Sequence, residues 1–88
     1  MPTILQVRGW RLFFYADEGN EPAHIHAQKG DAECKVWLLV ETFDIDFAWE
    51  HGLTPRLRRE LRRILFEHFD LIVDEWERFQ RRRGDEGN

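Results

Sequence analysis

Apolar and polar positions alternate through the first half of the chain and recur every three to four residues through the second, so the two halves predict different elements. Thr3 to Arg8 and Trp10 to Tyr15 are short runs rich in β-branched and aromatic side chains, separated by Gly9, which predicts a hairpin of strands over about residues 3–8 and 10–15. Asp17 to Pro22 gathers Gly, Asn, Asp and Pro and reads as a surface loop. Ala23 to Lys29 and Ala32 to Leu39 flank Gly30-Asp31. A two-residue turn there pairs Ala27 with Cys34 and Ile25 with Val36. That register puts Ile25, Ala27, Cys34, Val36 and Leu38 on a core face and His24, His26, Gln28, Glu33, Lys35 and Trp37 on a polar, half-exposed one. The run from Phe43 to Trp49 predicts a fifth strand, with Phe43, Ile45, Phe47 and Trp49 together on one side.

Thr54-Pro55 is a helix start, because a threonine hydroxyl can accept from an orphan amide and proline suits the first helical position. Leu57, Leu61, Ile64, Leu65, His68, Ile72, Trp76 and Phe79 then follow at helical spacing with no Gly or Pro before Gly84, predicting one long helix over about 55–82. Such a rod is roughly 40 Å long, so one end overhangs the sheet or the helix breaks near Phe69-Asp70. The fold class is therefore α+β: an antiparallel sheet of four to five short strands, with the carboxy-terminal helix packed on one face. A single domain over 1–83 and a disordered tail over 84–88 are expected.

Length sharpens this picture. With 88 residues there is room for one core only, and its stability is marginal unless a second copy, in a homodimer, buries more surface. Aromatic residues make up 14% of the chain and supply large apolar area, against disorder despite 34% charge. One cysteine, Cys34, allows no internal disulfide, and no run of eighteen apolar residues is present, so a cytoplasmic setting and no membrane partner are expected.

Charge divides the chain. Residues 1–54 hold nine acids against Arg8, Arg11, Lys29 and Lys35, whereas residues 55–83 hold nine arginines against six acids. Arg56, Arg58, Arg59, Arg62 and Arg63 crowd the start of the predicted helix, where the macrodipole disfavours cations. They are candidates for an anion or nucleic-acid site, and the alternative is that they pair with nearby acids or with the acidic strands.

His24 and His26 project from one strand face and can share a metal ion or a phosphate. A zinc site needs a third ligand, for which Asp17, Glu18 and Glu21 are the candidates; no cofactor is otherwise expected, a divalent metal being the exception. The same histidines with Lys35, and with Arg11 or Tyr15 on the neighbouring strand, offer the base, acid and cation that RNA cleavage requires. The competing reading is structural, with the imidazoles packing on Trp37 and hydrogen-bonding the Asp17–Pro22 loop. Cys34 reads as a buried apolar residue, and the four tryptophans as core or interface anchors.

The opening Met-Pro-Thr-Ile-Leu, the strand end Phe13-Phe14-Tyr15, the stretch Glu18-Gly19-Asn20-Glu21-Pro22-Ala23-His24-Ile25-His26, the strand Lys35-Val36-Trp37-Leu38 and the Trp76 helix end resemble a family of small prokaryotic proteins catalogued as domain of unknown function 4160. The Phe43–Trp49 segment and the arginine-rich tail depart from its pattern. Members often look like halves of toxin–antitoxin or other two-gene modules, so the resemblance implies a small partner protein and nucleic acid, with His24 and His26 carried by the matching motif. Three functions are thus in play: a binding module of such a pair, a small ribonuclease or metal-dependent hydrolase using His24 and His26, and a structural homodimer.

Overall fold

The computed structural model describes residues 3–15 and 20–86, with side chains as far as Arg82. Five strands, β1 (Thr3–Val7), β2 (Trp10–Phe13), β3 (His24–Lys29), β4 (Ala32–Leu39) and β5 (Asp44–His51), precede two helices, α1 (Pro55–Glu67) and α2 (Phe69–Glu86). The strands form an antiparallel meander in the order β1-β2-β3-β4-β5. Each hairpin brings neighbours in sequence together, so the loop-closure cost of every pairing is small.

The central hairpin has the register its alternation predicts, with Ile25 opposite Val36 and Ala27 opposite Cys34. At the first hairpin, β1 stops at Val7 because Arg8 joins Gly9 in the turn, both at positive φ (52° and 83°). The type I′ hairpin turn, one of the two that follow the sheet's twist, requires positive φ at both central positions, and here a non-glycine residue accepts one of them. β2 ends at Phe13, two residues earlier than its aromatic run suggests.

β5 departs most from expectation. Phe43 lies in the left-handed region (φ 52°) after a single 3-10 turn over Val40–Thr42, so the strand begins at Asp44 and runs on to His51. Its ladder slips between Lys35 and Val36: Phe47 faces Val36 while Trp49 faces Lys35, leaving Ala48 as an extra residue. That bulge changes the parity of the strand. Ile45 and Phe47 stay with the core, and Trp49 turns to the opposite face rather than sharing theirs.

The predicted single helix is two. His68 leaves helical geometry (φ −112°, ψ 19°), although its amide still bonds the Ile64 carbonyl (3.1 Å) and its carbonyl still accepts from Ile72 (3.0 Å). Leu61, Ile64 and Leu65 before the break and Phe69, Ile72 and Trp76 after it are all buried in one core with Trp10, Leu12, Ile25 and Val36. A five-strand sheet is only about 20 Å across, and a single-residue interruption lets both segments remain against it. At the start of α1 the Thr54 hydroxyl accepts from the Leu57 amide (3.1 Å), with Pro55 in the first turn, as the sequence predicts. The α2 backbone is helical through Glu86; residues 87 and 88 of the predicted tail lie outside the described part.

Candidate functional site

The sheet face opposite the one that carries Ile25, Ala27, Cys34 and Val36 is organised in cross-strand rows. His24, Trp37 and Asp46 form one; Phe13, His26, Lys35 and Trp49 a second; Arg11, Gln28, Glu33 and His51 a third. The first two rows are not the solvated surface that alternation suggests, since His24 is 0% and His26 3% exposed. The His24 ring lies 4.8 Å from Trp76 of α2 and 5.7 Å from Trp37, and the His26 ring 4.5 Å from Tyr15 and 5.6 Å from Phe13. His24 Nδ1 donates to the Pro22 carbonyl (2.9 Å). Both rings are packed among aromatic side chains.

Lys35 sits opposite His26 as predicted, but its ammonium is paired with Glu21 and lies 4.6 Å over the Trp37 ring. Glu21, a candidate third metal ligand, is thereby engaged by a cation. Asp17 and Glu18 lie outside the described residues, and among those described no group of three His, Cys, Asp or Glu side chains can hold a metal ion. Tyr15 donates from its hydroxyl to Glu33 (3.4 Å), and Arg11 lies 4.4 Å over the Phe13 ring while donating to the Thr3 hydroxyl (3.1 Å).

Cys34 is fully buried on the core side. Burial first, then the carboxylates of Glu50 and Glu33, push its thiol up to about 12, against the opposing pull of Arg58. The folded protein keeps a proton that the unfolded chain releases above 9.0, so this residue lowers stability as pH rises from 9.0 towards about 12. A thiol reagent at pH 8 is expected to leave the native protein unmodified and to label Cys34 in urea; rapid labelling of the native state would show that the core opens there.

The five helix arginines divide into two groups. Arg58 pairs with Glu50 of β5 and lies 5.4 Å from the Phe47 ring, and Arg62 lies 5.5 Å from Phe66, so these two meet the sheet and the helix flank. Arg56, Arg59 and Arg63, spaced three and four apart, share the outer face of α1. With Arg8 of the β1–β2 turn and Glu60 they line a recess of about 220 Å³. Glu60 forms its floor, accepting from Lys29 Nζ and Trp10 Nε1, both at 2.7 Å. The Lys29 and Trp10 hydrogen bonds hold its carboxyl below the ordinary value of 4.5, so Glu60 stays ionised and already committed. Arg56, Arg59 and Arg63 make no ion pair among the described residues.

Sequence spacing identifies the helix arginines but not Arg8, which only the tertiary packing brings to them. Its signal is its place beside Gly9 in a two-residue turn, and that says nothing about α1. Among the described residues no helix is long and apolar enough to cross a membrane. A family model described as Domain of unknown function (DUF4160) matches residues 9–77. No curated protein and no solved structure matches the chain.

Proposed function

The chain belongs to the DUF4160 family, and since that family lends it no activity we propose, from its own geometry, that it is a binding module that holds nucleic-acid phosphate between α1 and the β1–β2 turn. One observation carries this reading: Arg8, Arg56, Arg59 and Arg63 converge on one recess in which the only acid among the described residues, Glu60, is already taken by Lys29 and Trp10. Guanidinium groups gathered without carboxylate partners repel one another, and a phosphate relieves that repulsion with charge-assisted hydrogen bonds. The first turn of α1 adds its dipole to the same end. The resemblance to halves of two-gene modules supports a place in a bacterial toxin–antitoxin-like pair, with a small protein as second partner. The enzyme reading has less support, because His24 and His26 are buried where a substrate would have to reach them.

Fluorescence polarisation with labelled oligonucleotides tests the recess. The triple variant Arg56→Glu, Arg59→Glu, Arg63→Glu is expected to weaken binding at least tenfold at about 0.1 M salt and to flatten its salt dependence. Reversing Arg81 and Arg82 lowers net charge without touching the recess and serves as control. A triple variant that binds as the wild type does, with its circular dichroism unchanged, overturns the assignment.

A further inference from the structure

The β1–β2 turn joins two surfaces. Arg8 lines the recess beside α1 and also a second, of about 380 Å³, that runs over the hairpin from Gln6 to Arg11. Arg11 in turn opens the outer row Arg11, Gln28, Glu33 and His51 on the sheet face opposite Ile25 and Val36. A cationic path therefore leads from α1 around the hairpin onto that face.

Trp49 stands where this path arrives. It is 44% exposed although its ring lies within 6.1 Å of His26. Without the bulge at Ala48 it would continue the core side of β5 with Ile45 and Phe47; the extra residue turns it outward, beside Lys35 and next to the row that ends at His51. Turning a tryptophan out of the core forgoes favourable burial, and bulges that re-aim a side chain recur beside functional sites. Gln28 and Glu33 are half-buried and His51 exposed, so amide, carboxylate and imidazole groups line the face between Arg11 and Trp49. From β2 to β5 is about 14 Å, three strand spacings, which a few nucleotides span.

We infer that the nucleic acid held by the arginines is single-stranded and crosses the β1–β2 edge, placing its bases along the Arg11–His51 row of this face with one stacked on Trp49 and Gln28, Glu33 and His51 at base edges. This rests on the nucleic-acid reading of the recess and adds which form is bound and where its bases lie. Charge complementarity selects the occupant: Arg8, Arg56, Arg59 and Arg63 fit a phosphate chain, while an exposed indole fits an unpaired base. A duplex keeps its bases stacked and paired inside, so it can use the arginines but not Trp49.

The test compares a labelled single-stranded 12-mer with the duplex of the same sequence, for the full-length protein and for Trp49→Ala and Trp49→Phe. The single strand is expected to bind at least tenfold more tightly than the duplex. Trp49→Ala should lose about tenfold for the single strand, within the range for stacking of one base, and nothing for the duplex, while Trp49→Phe recovers most of the loss. Equal binding of the two forms, or a Trp49→Ala effect shared by both, overturns the inference and leaves the arginine recess standing. Displacement by a free mononucleotide as effective as by the 12-mer also overturns it, in favour of a small-ligand site. Absence of binding to either form removes both readings.

Discussion

Phe14→Ala is expected to bring the protein to the edge of unfolding. Phe14 follows the last residue of β2 and is 0% exposed, with its ring 5.4 Å from Trp76 and 5.3 Å from Phe79. It is the point at which the second strand grips α2. Truncating a buried phenylalanine removes its transfer free energy and leaves a cavity, about 3–5 kcal/mol in all. A domain of this length has a total stability of only about 4–13 kcal/mol, so the variant forfeits a large share of it. With a urea slope of about 1–3 kcal/mol per molar, the unfolding midpoint should fall by about 2 M, and Phe14→Leu should recover most of the difference. A midpoint within about 0.5 M of the wild type would mean that α2 is not anchored through this ring.

The second large effect concerns the histidines. His24→Ala is expected to cost about 3 kcal/mol, as other large-to-small changes in a packed aromatic cluster do, because the ring fills the space between Trp37 and Trp76. His24→Phe keeps the filling and loses the Nδ1 hydrogen bond to the Pro22 carbonyl, at a cost of about 1 kcal/mol. Pro22 is exposed, so water can take over its carbonyl. Urea denaturation of the two variants separates packing from chemistry. If both are as stable as the wild type, the imidazole is kept for something other than structure, and the metal and acid–base readings of His24 and His26 regain their force.

Much of this architecture is legible along the chain, because it depends on neighbours in sequence. The alternation from Ala23 to Leu39 around Gly30-Asp31 specifies the register of β3 on β4, since slipping by one residue would expose the whole apolar set. Thr54-Pro55 marks the helix start by local hydrogen bonding alone. The helix arginines are visible for the same reason, as a run at helical spacing.

What the chain does not show are the consequences of packing elements distant in sequence. Alternation assigns Trp49 to the core; the β4 partner decides where the bulge falls and turns it away. Binary pattern calls His24 and His26 surface residues, yet both are buried, His24 against Trp37 and Trp76 of α2 and His26 among Phe13, Tyr15 and Trp49, which are neighbours that only strand pairing and helix packing supply. Helical periodicity runs unbroken through His68, whereas fitting two stripes to one short sheet interrupts it. Arg8 joins Arg56, Arg59 and Arg63 only when the β1–β2 turn lies beside α1. Periodicity and caps are local free energies that the sequence determines by itself; facing, burial and the meeting of charges are sums over residues far apart in the chain, and those only the tertiary structure decides.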